Sequence, residues 1–156
     1  MNATNNCLLC RETGGEALFA DAKLRVVRVD DADGDRYPGF CRVIWNAHVK
    51  EMTDLAGADR AHFMDAVFCL EAALRTALIP EKINLASLGN ITPHLHWHVI
   101  PRYIGDTTFP KPIWAPPNDV SAAGQLDTLA EQQQAEVAVS KNAAWVAAVK
   151  QAFNQS

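Results

Sequence analysis

Residues 94–103 read His-Leu-His-Trp-His-Val-Ile-Pro-Arg-Tyr and hold three of the chain's five histidines. Side chains of a β-strand alternate between its two faces. Read as a strand, the run puts His94, His96 and His98 on one face and Leu95, Trp97 and Val99 on the other. Neighbouring imidazoles then stand roughly 7 Å apart, at about 3.3 Å of rise per residue. One side is suited to chemistry and the other to a core. Imidazole is the side chain best matched to nucleophilic attack and proton transfer near neutral pH. A lone strand histidine is more often a satisfied structural residue, but three in register point to a site.

Other residues have useful chemistry and blander alternatives. Cys7-Leu8-Leu9-Cys10 has the spacing of a zinc knuckle, and tetrahedral zinc would need two more sulfur or imidazole ligands. A redox pair is the rival, although the helix start of a thioredoxin-like unit is missing. Cys41 and Cys69 fall in an apolar strand and an amphipathic helix, where free cysteine acts as a small core residue. Asp30, Asp31, Asp33 and Asp35 crowd one loop and are by default a solvated surface. Gly89-Asn90 is by default a turn. His62 reads as a partly exposed helix residue.

Several elements must position these groups. Residues 16–19 and 24–29 read as strands joined by a tight turn, and 30–39 as a loop. Residues 40–45 form a third strand. A helix capped by Asp59 is expected to reach about Leu78, with Phe63, Val67, Leu70, Leu74 and Leu78 as its buried stripe and Pro80 just beyond. Residues 83–88 and 95–101 are the fourth and fifth strands. Short connections favour an antiparallel meander covered on one face by the helix, an α+β fold. Residues 102–117 are proline-rich and irregular. Residues 121–153 read as one broken helix or two, with apolar patches at Leu126 and Leu129 and at Trp145, Val149 and Phe153. The chain divides at 1–117 and a helical C-terminal extension, 118–156.

His94-Leu95-His96-Trp97-His98-Val99-Ile100 resembles the signature of the histidine triad, or HIT, family of nucleotide hydrolases and transferases. Gly89-Asn90 sits where many members have Gly-Gln or Gly-Asn. Trp45-Asn46-Ala47-His48-Val49 resembles the family's Pro-Lys-x-His turn, with Trp45-Asn46 as a departure, and Met52-Thr53-Asp54-Leu55 follows as expected. The likeness spans about residues 7–115. It implies a HIT-like antiparallel sheet of about five strands. It also implies attack by His96 on an α-phosphate, a nucleotidyl-histidine intermediate resolved by water, and leaving-group protonation helped by His98. Asn90 would donate to phosphate oxygens, and Asp30 or Asp31 would hold the ribose. Structural zinc would use Cys7, Cys10, His48 and His94, with no organic cofactor. Substrates would be nucleoside phosphoramidates, aminoacyl-adenylates or dinucleoside polyphosphates. A homodimer through the region of residues 63–78 is expected, the tail with Trp145, Val149 and Phe153 either extending across the partner or folding back on its own sheet.

Two further classes remain open. The histidine row, including His94, could hold a catalytic metal in a metal-dependent hydrolase. A nucleotide-binding module with little turnover would carry the same residues. With 156 residues, 49% hydrophobic and 21% charged, the chain fits a folded domain with a real core. A net charge of −4 without a basic run disfavours nucleic acid polymers. Residues 1–6 show no leader pattern and no stretch is long enough to span a membrane, so a cytoplasmic protein is expected.

Overall fold

The computed structural model describes residues 6–118 and 142–155. A helical turn, α1 (Leu8–Arg11), leads into strands β1 (Glu16–Ala20) and β2 (Leu24–Arg28). A short helix α2 (Ala32–Arg36), strand β3 (Cys41–Trp45) and the long helix α3 (Gly57–Leu78) follow. Strands β4 (Lys82–Ala86) and β5 (His96–Arg102) complete a five-stranded sheet, and α4 (Asn142–Asn154) closes the chain. All strand pairs are antiparallel, in the order β1-β2-β3-β5-β4. The α+β class expected from the sequence is therefore present, but the sheet is not a meander. The long helix carries the chain past β3 to an edge position, and β5 returns from β4 into the gap between them. The histidine strand thus lies inside the sheet, with β3 on one side and β4 on the other.

The two sheet faces differ. Leu24, Val26, Cys41, Val43, Trp45, Leu95 and Val99 point toward α3 and join one core with its buried stripe. That stripe comprises Phe63, Ala66, Val67, Leu70, Leu74 and Leu78, matching the sequence periodicity with Ala66 added. Burial pushes the Cys41 thiol up, as expected of an inert core cysteine. Cys69 is partly buried against the same core. The helix starts three residues earlier than its sequence suggests, with Ala56 rather than Asp59 at the cap and no side-chain cap bond. Asp59 lies instead in the first turn, where the helix dipole favours a carboxylate, and its Oδ1 pairs with Lys23 Nζ at 2.6 Å. Ile79, left-handed at φ 52°, ends the helix, and Pro80 prevents its continuation.

Helix α4 packs on α3 and β1. Trp145, Val149 and Phe153 are buried in the shared core, and the Phe153 ring stacks on Phe19 with centroids 4.8 Å apart. The tail helix therefore folds back on its own chain, and these three side chains are not available to reach across a partner. The expected helical residues 121–141, with Leu126 and Leu129, lie outside the described residues. The loop expected at 30–39 contains α2, because the Asp31 carboxylate caps it by accepting from the Asp33 and Gly34 amides. A single turn also begins at Cys7, where no helix start is evident in the sequence.

Residues 103–118 follow β5 without regular structure, held by Arg102. Its guanidinium donates to both oxygens of Asp106 at 2.7 and 2.8 Å, to Asn84 Oδ1 at 2.8 Å, and to the Lys111 carbonyl at 2.8 Å. Side-chain exposure is 2% for Arg102 and 4% for Asp106. Breaking one partner of such a pair strands the other charge, a cost of about 3–5 kcal/mol. Asp106→Asn should accordingly lower unfolding stability by that order in a denaturant titration at neutral pH. Burial alone would raise the Asp106 pKa, but bonds from Arg102 and from the Tyr103 and Thr108 amides hold it below its ordinary 3.8. The pair's stabilisation is then complete above about pH 4 and is lost as the pH falls through the depressed value. The gap between wild type and Asp106→Asn should narrow in acid. A gap independent of pH would contradict this.

Candidate functional site

The face of β5 turned away from α3 carries His96 and His98, with ring centroids 4.8 Å apart. His94 stands just before the strand, so the histidine row is split rather than continuous. Its Nε2 lies 2.6 Å from the Trp45 carbonyl, which can only accept, so Nε2 carries the proton. Its Nδ1 lone pair then faces Cys7 Sγ at 3.4 Å and Cys10 Sγ at 3.5 Å. Cys10 Sγ is also 3.3 Å from His48 Nδ1. The four donor atoms of Cys7, Cys10, His48 and His94 all lie within 4.8 Å of one another. Two sulfurs and two imidazole nitrogens converging in this way could hold a metal ion. The carbonyl-bound Nε2–H also gives His94 the orientation and tautomer a ligand needs. Burial raises the Cys10 thiol pKa, and neighbouring Cys7 raises it further. A divalent cation would relieve that thiolate repulsion.

The turn carrying His48 shows what the departure at Trp45-Asn46 does. The Trp45 indole is buried, edge-on to Phe63 at 6.1 Å, while its carbonyl orients His94. The Asn46 side chain donates to the Asp21 carbonyl and accepts from Arg25. Arg25 also donates to the carbonyls of Leu9, Glu12 and Thr13, and so ties the cysteine loop to the sheet. Gly14, at φ 86°, lets that loop cross the sheet closely, since a Cβ there would lie 2.9 Å from Leu9 Cδ2.

His96 is fixed by a similar device. Its Nδ1–H donates to the His94 carbonyl at 2.6 Å, leaving Nε2 unprotonated. Burial holds the His96 and His94 pKa values below the ordinary imidazole value, against carbonyl bonds that would raise them. For His98 burial, then His96 and Arg42, push the value down to about 3. His98 Nδ1 is buried with no partner among the described residues, so its tautomer is not fixed by the protein. Phe40 and Trp114 flank its ring at 5.6 and 5.4 Å. Burial thus favours the neutral form of all three triad rings, and two are locked in tautomer by backbone carbonyls.

The remaining sequence candidates are dispersed. Asp31 lies at the rim, one carboxylate oxygen engaged in the α2 cap and the other 4.0 Å from Arg42. Asp30 and Asn90 are exposed. Asn90 follows Gly89, which has a left-handed φ of 75° in the loop between β4 and β5. His62 Nε2 meets Asp21 Oδ2 at 2.7 Å on the surface, away from the other histidines in its contacts. Sequence reasoning missed Arg25, Arg42, Phe40 and Trp114. The detectable signal was Arg25 and Arg42, charges interrupting apolar strands at positions facing away from α3. A groove of about 710 Å³ runs along the edge strand β4, its lining including Glu71, Lys82, Asn84, Ala86, Leu88 and Trp114. The triad histidines are not part of it, and Trp114, against the His98 ring, and Ala86, paired with His98, connect it to the row.

A HIT domain model matches residues 15–105, more than half of the chain. No curated protein matches the sequence. Among solved structures, the chain is similar to a histidine triad protein from Bradyrhizobium japonicum at 26% identity and a TM-score of 0.59, over 78% of this chain and 91% of that one. A histidine triad protein from Sinorhizobium meliloti matches at 25% identity and a TM-score of 0.61, over 85% and 97% of the two chains. A HIT family member from Bacillus subtilis shares the fold at 20% identity and a TM-score of 0.58, over 87% and 96%. The imidazole row on β5, the sheet that presents it and the domain match lead to one conclusion: the chain belongs to the HIT, or histidine triad, family.

Proposed function

We propose that this chain is a nucleotide hydrolase or nucleotidyl transferase acting at an α-phosphate through His96. The observation that carries this reading is the bond from His96 Nδ1–H to the His94 carbonyl, which leaves Nε2 as a nucleophile without prior deprotonation. Nε2 forms a bond to phosphorus while the bond to the leaving group breaks; the departing atom takes its proton from solvent water, with His98 as the neighbouring imidazole that relays it. Water or another acceptor then displaces His96 and releases the nucleotide. Catalysis depends on positioning and on charge stabilisation. Asp30 or Asp31 takes the ribose hydroxyls, and Asn90 donates to phosphate oxygens. Asp31 lies toward β3 and the groove toward β4, so the nucleoside and the leaving group occupy opposite sides of His98. The groove mixes apolar walls (Leu88, Ile100, Trp114) with Glu71, Lys82 and Asn84, which leaves room for a substituted amine or acyl leaving group, as in phosphoramidates or aminoacyl-adenylates; dinucleoside polyphosphates remain in the same reaction class.

A catalytic metal on the histidine row is less well supported, because the convergent donors use His94 and omit His96 and His98. His96→Asn or His96→Gly should lower turnover by at least ~10³-fold with the fold unchanged. An acid-labile adduct should be trapped from wild type and a nucleotide labelled at the α-phosphate. Turnover near wild type in either variant refutes the assignment. Turnover too slow to measure in wild type, with tight nucleotide binding, would favour a binding module.

Cys7, Cys10, His48 and His94 suit structural zinc, which would tie the N-terminal turn to the triad strand and leave His96 and His98 for chemistry. The purified protein should then contain about one zinc per chain. Cys7→Ser/Cys10→Ser should lower the melting temperature more than it slows turnover. Metal-free protein of full stability would exclude this role. The free thiols suit a reducing compartment such as the cytoplasm. No helix among the described residues is long and apolar enough to cross a membrane.

A homodimer is the remaining part of the proposal. Among the described residues the outer edge of β4 is unpaired, and Phe68 on α3 is 52% exposed. Unpaired edges are covered, blunted or paired, and two-fold dimers are the commonest closed assembly. Light scattering at micromolar concentration should give about twice the 17.1 kDa chain mass, and Phe68→Glu should lower it. A wild-type mass of one chain excludes the dimer.

A further inference from the structure

Arg42 is a cation in the middle of a strand whose other inward positions are apolar. The register pairs Arg42 with Val27 on β2 and with His98 on β5, so its side chain shares the face of the triad. Directly opposed residues of an antiparallel pair have Cβ atoms about 4.5–5.5 Å apart, which makes Arg42 an immediate neighbour of His98. On the same face Ile44 opposes His96, and both Val27 and Ile44 are fully buried. An aliphatic residue at position 42 would continue that surface. The guanidinium instead lies over the Phe40 ring, 5.4 Å from its centroid, and its side chain is 20% exposed.

Its contacts do not account for its presence. One nitrogen donates to the Gly14 carbonyl at 3.1 Å. The other terminal nitrogen is 4.0 Å from Asp31, beyond hydrogen-bonding distance, and that carboxylate is 61% exposed. A guanidinium has five N–H donors in a planar fork that suits two oxygens of one oxyanion. Here the ring of Phe40 and the bond to Gly14 hold the fork in place, while most donors have no acceptor among the described residues. A fixed guanidinium directly across from His98, with free donors on the triad face, is matched to an anion placed between them.

We propose that Arg42 is a substrate-binding residue, its guanidinium holding the non-bridging oxygens of the phosphate that His96 attacks. The role of His96 rests on the proposed function above, whereas the oxyanion site itself does not. As negative charge builds on those oxygens, the guanidinium offsets it. Asp31, 4.0 Å from the same guanidinium, stands where the ribose of a nucleoside 5′-phosphate would follow.

The test uses the full chain as wild type, Arg42→Gln and Arg42→Lys, with calorimetric titration of inorganic phosphate, adenosine 5′-monophosphate and adenosine. Arg42→Gln should weaken phosphate and the monophosphate at least ~10-fold, and leave adenosine unchanged. Arg42→Lys should recover part of the loss, because it keeps the charge but not the fork. The kcat of Arg42→Gln should fall by ~10²-fold or more, recovering in part on adding guanidinium ion. Equal phosphate affinity in wild type and Arg42→Gln overturns the proposal, as does an equal loss for adenosine, which would mark a structural role. Wild type that binds no phosphate also overturns it. Phosphate binding that depends on Arg42, in a protein whose His96→Asn variant turns over normally, would sink the nucleophile and keep the oxyanion site.

Discussion

The two-residue alternation of β5 inside the sheet is the constraint on which the site depends. Val99 on β5 and Leu95 just before it are committed to the core under α3. Fully burying such a side chain contributes about 1.5–3 kcal/mol, so these residues fix which face of the strand points inward. His96 and His98 have no choice of face as a result. A one-residue slip would drive two imidazoles into the apolar core and expose the apolar set. Register here is enforced by packing on the face opposite the chemistry. The edge position of β4 matters for the same reason: it leaves β5 flanked on both sides, so the imidazoles lie on a rigid interior strand.

Two backbone carbonyls then divide the histidines by role. The Trp45 carbonyl takes the Nε2 proton of His94, and the His94 carbonyl takes the Nδ1 proton of His96. Identical side chains two residues apart therefore present opposite nitrogens. His94 offers Nδ1 to the sulfurs, and His96 keeps Nε2 for a ligand. His94 can do this because it precedes the strand and is not held to its alternation. One bond chain runs from the His48 turn through His94 to His96, so the cysteine cluster and the imidazole face are mechanically one unit.

The triad and the α3 stripe were legible because each follows a short period in sequence and each period is enforced by burial. The division of the zinc-type donors was legible only through resemblance, since Cys7 and His94 are far apart in sequence and meet through tertiary packing. The position of β5 between β3 and β4 was not legible, because local pattern does not encode which strand fills a gap left by a long crossover. Asp59 looked like a cap because a carboxylate suits both the cap and the first turn, and Lys23, remote in sequence, decided between them. The acidic loop concealed α2 for a related reason: Asp31 as a cap and Asp31 as a solvated aspartate are the same letter. Arg42 escaped notice because a single charge in an apolar strand usually means an edge, whereas β3 is interior.

Irregular segments wall the site at both ends, and each depends on one arginine. Arg25 gathers the carbonyls of Leu9, Glu12 and Thr13, fixing the loop that carries the cysteines. Arg102 gathers Asp106, Asn84 and the Lys111 carbonyl, fixing the loop that places Trp114 against His98. A loop without its own ladder leaves backbone carbonyls in need of donors. A guanidinium can satisfy several at once from a rigid strand, at the cost of burying a charge. Arg102 is neutralised by Asp106 and is fully engaged, so its positive charge is spent on architecture. Arg42 has the same side chain on the same sheet face as the triad, with one carbonyl bond and a distant carboxylate. The contrast between these two arginines is what separates a residue that builds the wall from one whose charge is left facing the imidazoles.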